Sequence, residues 1–124
     1  MKTGLQEINE LVGIWGSLII NNQGEILLNV SPPVLTVVFG YISNHIVDLL
    51  TSVEKSLSGV TEVVLHYDQR IVFILDLEEV ILVMICTPSV DISLLRMTAN
   101  VVVTNWKTDP KIQKQLKKGF VERL

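Results

Sequence analysis

A single cysteine, Cys86, denies this chain an internal disulfide, and its place in the apolar run Val80 to Cys86 reads as a small hydrophobe, not an exposed thiol. That usage fits a reducing compartment, so a cytoplasmic location is expected. Histidine is equally scarce. His45 and His66 have no further cysteine, histidine or carboxylate at ligand spacing, so neither makes a zinc site. Gly24, Gly40 and Gly59 stand alone, and neither G-x-x-x-x-G-K-S/T nor G-x-G-x-x-G occurs, so the backbone cradles that bind phosphate are missing. No serine sits in a G-x-S-x-G context. Glu78-Glu79 is better read as a turn than as paired carboxylates, because adjacent strand residues point to opposite faces. No catalytic residue, cofactor or metal ligand is assigned, and the chain is read as a non-enzyme.

Charge is also thin. Charged residues make up 19%, and ten Lys plus Arg against thirteen Asp plus Glu leave a net charge of −3, so no basic field exists to attract nucleic acid. The N-terminal stretch has Glu7 and Glu10 and no apolar h-region, unlike a secretory signal. The longest run without an ionised side chain, Ile26 to Val47, is broken by Asn29, Ser31, Pro32-Pro33 and Asn44, so no integral membrane span is expected.

What the chain does have is aliphatic residues: 48% of its 124 positions are hydrophobic, enough for one domain and one core. Leu5, Ile8, Leu11 and Val12 recur at helical spacing behind a Thr3–Gln6 capping box, with Gly13 as the stop. Trp15 to Ile20 and Glu25 to Val30 flank the turn Asn21 to Gly24 as a hairpin. Ser31-Pro32-Pro33 caps and starts a second helix that runs to about Leu57. Val60 to Tyr67, Arg70 to Leu77 and Val80 to Thr87 form a three-strand meander turning at Asp68-Gln69 and Glu78-Glu79. Asp91 caps a third helix with the stripe Leu94, Leu95, Thr98, Val101 and Val102, and Asp109-Pro110 opens a basic amphipathic tail with Ile112, Leu116 and Phe120 on one side.

Ile71 to Leu75 and Val80 to Cys86 are continuously apolar, so both faces of those strands are covered; Thr61 to His66 alternates and Glu25 to Val30 is partly polar, so these two are edges. The arrangement that satisfies this is an α+β sandwich: a five-stranded antiparallel sheet with the second helix on one face and the first and third on the other. The second helix carries two stripes. Leu35, Phe39, Ile42, Ile46, Leu50 and Val53 form the core face, and Val34, Val37, Val38, Tyr41 and His45, followed by Asp48 and Ser52, form an adjacent seam that would be an open apolar patch on a monomer. A homodimer is expected through Val34, Val37, Val38, Tyr41, His45 and Asp48, joined by Glu62, Val64 and His66 of the edge strand pairing with its copy. The competing reading is that the chain's own tail covers the seam.

The run from Leu11 through Gly13-Ile14-Trp15-Gly16-Ser17, the turn Asn21-Asn22-Gln23-Gly24 and the strand to Leu27 resembles the opening of the roadblock/dynein light chain superfamily. The meander and third helix also match, so the resemblance spans about residues 3 to 106 of a single roadblock-type domain, 1–124, with 107–124 a basic helical tail outside the minimal pattern. The bacterial and archaeal members, including the type that partners the gliding-motility GTPase, are more similar than the eukaryotic dynein light chains. The resemblance implies an α/β/α sandwich dimerising through its second helix and edge strand, with a small Ras-like GTPase as partner. It equally leaves open a scaffold subunit of a motor or membrane-associated complex. A profilin- or PAS-shaped ligand-binding domain is a third reading, disfavoured by the few convergent polar groups.

Overall fold

The apolar runs in the second half of the chain become the centre of a five-stranded antiparallel sheet. The computed structural model describes residues 1–56 and 61–117, and at Val34, Thr36, Val37, Tyr41, Asn44, 54–56 and Lys117 the backbone alone. Among these the order is α1 (Lys2–Asn9), β1 (Ile14–Ile20), β2 (Ile26–Val30), α2 (Pro33–Ser56), β3 (Glu62–Tyr67), β4 (Arg70–Asp76), β5 (Ile81–Cys86), α3 (Ile92–Thr108) and α4 (Pro110–Lys117). The strands lie in the order β2-β1-β5-β4-β3, so the hairpin and the meander stand side by side and β2 and β3 are the edges, as alternation predicts.

Two cores separate by strand parity. Ile71, Phe73 and Leu75 of β4 and Leu82, Met84 and Cys86 of β5 pack with Leu5 and Ile8 of α1 and with Leu95, Ala99, Val102 and Trp106 of α3. Val72, Ile74, Ile81, Val83 and Ile85 point the other way, onto Leu35, Phe39, Ile46 and Leu50 of α2. Burial pushes the Cys86 thiol up to about 12, so it stays protonated.

Four local expectations need correction. The Thr3–Gln6 capping box does not form: α1 already begins at Lys2 with Met1 as N-cap and no side-chain cap bond, which leaves Thr3 inside the helix. The helix ends at Asn9 with Glu10 in a right-handed C-cap, so Gly13 is not its stop. With φ +94° and Thr87 and Val90 within 3.2 Å of where a Cβ would sit, Gly13 instead turns the chain into β1, its carbonyl accepting from the Thr87 N–H at 2.7 Å. Ser31 does not cap α2; its hydroxyl donates to the Asn29 side-chain oxygen two residues back, a local competitor for the same group. In α3 Asp91 is the N-cap, accepting from the Leu94 N–H at 3.0 Å, but Leu94 and Val101 are 46% and 60% exposed. Leu95, Ala99, Val102, Val103 and Trp106 face inward instead. A helix apolar nearly all round does not fix its own rotation. Contact with α1 does, because a Cβ at Gly4 would lie 2.6 Å from Val102 and 2.9 Å from the Trp106 indole nitrogen.

The tail from Asp109 is helical as expected. Asp109 accepts from the N–H of Lys111 at 2.9 Å, Gln113 donates to the Trp106 carbonyl at 2.8 Å, and Leu116 is buried beside Ile112 in the α1/α3 core. Phe120 lies outside the described residues.

Candidate functional site

Among the described residues an apolar opening lies where α2 meets the edge strand β3. The single helix on that face leaves a groove of about 290 Å³ bounded by Ile42, His45, Ile46, Leu49, Leu65 and Tyr67, with Val72 at its floor. The lining is almost entirely aliphatic and aromatic, and the polar atoms of His45 and Tyr67 are at its margin; His45 and Tyr67 are both exposed. The described part of the tail, α4, does not line it. Ile112 and Leu116 of α4 are spent on the opposite face of the sheet, which removes the α4 segment as a cover for the α2 seam.

The sequence-predicted residues divide between two places. On α2, Val38 is half-buried, and His45 and Asp48 are exposed on the helix side away from Phe39, Ile46 and Leu50. Val34, Val37 and Tyr41 fall on the α2 backbone between Pro33 and Ile42, and their side chains lie outside what is described. On β3, Glu62, Val64 and His66 stand opposite Leu75, Phe73 and Ile71, which belong to the α1/α3 core. These three side chains therefore do not join the helix seam. It is Val63 and Leu65 that face α2, opposite Ile74 and Val72. A one-residue difference in parity carries a strand side chain to the other face, and nothing in the alternation Thr61 to His66 states which set looks toward α2.

Glu62 has a partner within the chain. Its carboxylate accepts from Arg96 of α3 at 2.9 Å from Nε and 2.8 Å from Nη2, a forked ion pair, and the same guanidinium lies 6.0 Å from the centroid of the Phe73 ring. The bonded carboxylate raises the Arg96 pKa further above its ordinary value. Sequence reading missed the groove residues Leu49, Leu65 and Tyr67, and also Trp15, half exposed with Arg70 5.8 Å from its ring centroid. The available signal was Tyr67 at 56% exposure: a large aromatic at the last position of an edge strand has no core to enter.

Among the described residues no group of three or more histidine, cysteine, aspartate or glutamate side chains could hold a metal ion, and no helix is long and apolar enough to cross a membrane. Glu78 and Glu79 occupy the β4–β5 turn, Glu78 at φ +74° with its N–H bonded to Asp76, and both are exposed. What the arrangement offers is surface: an apolar groove, and beside it an unpaired strand edge.

Comparison with known proteins identifies the architecture. The chain is similar in structure to a roadblock/LC7 domain from Streptomyces avermitilis (TM-score 0.66, 13% identity, covering 86% of this chain and 91% of that one). It is similar to the gliding protein MglB from Thermus thermophilus (0.68, 12%, 82% and 81%). It is also similar to an MglB solved in a tetrameric arrangement (0.71, 12%, 95% and 88%). No protein-family model and no curated protein matches the sequence. The fold is the roadblock fold, and 107–117, read as outside the minimal pattern, is part of the folded unit.

Proposed function

We propose that this protein is a non-catalytic, cytoplasmic regulatory module that forms a homodimer and, as a dimer, binds and modulates a small Ras-like GTPase. One observation carries the reading: among the described residues an apolar groove of about 290 Å³ lies between α2 and β3 and runs up to the edge of β3. A contiguous apolar opening of this kind on a monomer is the mark of an interaction site. The likeness in fold to MglB gliding proteins, one of them in a tetrameric arrangement, supports self-association and a regulatory role.

The mechanism is contact. The dimer presents a surface that orders the switch segments of the GTPase and so changes exchange or hydrolysis. The two described arginines are engaged within the chain, Arg96 forked onto Glu62 and Arg70 over Trp15, so neither is read as a catalytic arginine supplied in trans.

The test is capture from a native lysate on the immobilised protein, once with a GTP analogue and once with GDP, followed by mass identification. Selective recovery of a small GTPase in one nucleotide state is the expected result. Recovery of motor or scaffold subunits alone, indifferent to nucleotide, replaces this reading with that of a platform subunit.

A further inference from the structure

Where α3 and α4 meet the β4–β5 turn there is an opening of about 370 Å³ on the side of the sheet away from α2. Its apolar lining comes from Leu75 of β4, Val103 and Trp106 of α3 and Leu116 of α4, all of them buried residues of the α1/α3 core. Its polar lining is unequal in charge: Asp76, Glu78 and Glu79 of the turn against Lys107 of α3. The walls are held by bonds within the chain. Asp76 accepts from the Glu78 N–H at 2.9 Å, and Asn22 of the β1–β2 turn donates to the Glu78 carbonyl at 3.2 Å. On the far side Gln113 donates to the Trp106 carbonyl at 2.8 Å and ties α4 to α3. Among the described residues, by contrast, the Glu78 and Glu79 carboxylates and the Lys107 ammonium have no hydrogen bond or ion pair.

We propose that this cavity binds a small organic cation, an ammonium or guanidinium group carried on an apolar body about the size of one aromatic ring. The body rests on Leu75, Val103, Trp106 and Leu116, and the charge lies toward Glu78 and Glu79. The site is separate from the proposed dimer and GTPase contacts, because it opens on the other face of the sheet. Its volume falls in the range of small-molecule pockets, roughly 300–1,000 Å³. Charge selects the ligand: an anion would meet one lysine and three carboxylates, whereas a cation meets the reverse balance. A bare metal ion is the wrong occupant, since the carboxylates do not gather as a metal-holding group and a hydrated ion gains nothing from an apolar floor. An organic cation uses both parts of the lining, burying its body against aliphatic and indole surface while its charge stays at the acidic rim. The sequence scatters these groups over 75–79, 100–107 and 113–116, and α4 is the element that brings them round one cavity. Walls fixed before the ligand arrives lower the ordering cost of binding.

Titration of the full chain with phenethylamine and phenethylguanidine tests the site, with phenethyl alcohol and hydrocinnamate as neutral and anionic counterparts of similar shape. Binding is read from tryptophan fluorescence in a Trp15→Phe background, which leaves Trp106 in the cavity wall as the single tryptophan. At neutral pH at least one of the two cations is expected to saturate the signal with a dissociation constant on the order of 1 mM or below. The alcohol should bind at least about tenfold more weakly and the carboxylate not at all. No saturable signal with either cation overturns the site, and equal affinity for cation and alcohol overturns the role of charge. Two variants locate the contact. Glu78→Gln combined with Glu79→Gln, isosteric changes at exposed turn positions, should weaken cation binding at least about fivefold with the thermal midpoint preserved. Lys107→Gln, which removes the one opposing charge, should tighten it about twofold, an effect in the opposite direction that a loss of structure would not produce. Wild-type affinity in the double glutamine variant overturns the assignment to this cavity.

Discussion

On one face of the sheet α1, α3 and α4 close over a continuous core, with Leu5, Ile8, Leu95 and Ala99 fully buried and Trp106 nearly so; on the other, α2 alone covers five strands. Close packing is common to both: a Cβ on Gly4 of α1 would collide with Val102 and Trp106, and one on Gly16 of β1 would collide with Ser31 and press on Leu35 of α2. The openings differ in chemistry. The first face has one of about 370 Å³ where α3 and α4 meet the β4–β5 turn, lined in part by Asp76, Glu78, Glu79, Asn100, Lys107 and Gln113, whereas the one of about 290 Å³ beside α2 is aliphatic and aromatic and adjoins the β3 edge. The proposed function rests on the apolar opening beside the strand edge, not on the polar-lined one.

The largest expected effect breaks the closed face. Trp106→Ala removes the side chain around which α1, α3 and α4 meet and should cost about 3–5 kcal/mol, read from urea denaturation, with the folded fraction keeping its state of association. Next comes the open face. Tyr41→Glu sets an unpaired charge into the proposed seam of the dimer and should weaken association by about 3 kcal/mol, roughly a hundredfold in dissociation constant by sedimentation, with little loss of monomer stability. An unchanged dimer mass removes α2 from the interface.

The glycine pair sharpens the comparison at smaller amplitude. Gly4→Ala should destabilise by about 1–3 kcal/mol as α1 is pushed off α3. Gly40→Ala, with open space around it in a helix interior, should stabilise by about 0.5–1 kcal/mol. Opposite signs from one chemical change, read as thermal midpoints, separate a glycine at a helix–helix contact from one on the outer side of a helix. The smallest effect concerns alkaline pH. Cys86 ionises near 9 when unfolded and near 12 when buried, so the unfolded chain loses its proton first. Stability therefore holds below about pH 9 and declines up to about 12, and Cys86→Ala should flatten that part of the profile.

Much of the architecture was legible because it rests on period alone. Continuous apolarity in Ile71 to Leu75 and Val80 to Cys86 announces strands covered on both sides, and alternation in Thr61 to His66 announces an edge. Turn chemistry at Asp68-Gln69 and Glu78-Glu79 and the Asp91 cap were equally local. The misreadings were of two kinds. At Thr3 and Ser31 a hydroxyl in a capping position was assigned to the helix, but α1 starts two residues earlier, with Met1 as its N-cap, and Asn29 takes the Ser31 hydroxyl. In α3, apolar residues on nearly every side left its rotation undetermined until Gly4 allowed α1 to approach Val102 and Trp106.

The candidate site was half legible for the same reason. A second apolar stripe on α2 marks an additional contact, since a helix that packs on one sheet needs only one. Which β3 residues look toward that stripe depends on strand parity relative to the sheet: Val63 and Leu65 do, while Glu62, Val64 and His66, expected at an edge-to-edge contact, lie on the other face.

By itself the sequence determined the element types and their order and the identity of the edge strands, because these follow from side-chain type and spacing along the chain. Tertiary structure alone decided that α4 closes the α1/α3 face and leaves the α2 groove open. It alone decided that Arg96 grips Glu62 across thirty-four residues of chain and that Glu62, Val64 and His66 lie on the face away from α2. Each of these depends on where distant segments come to rest against one another, and periodicity carries no information about that.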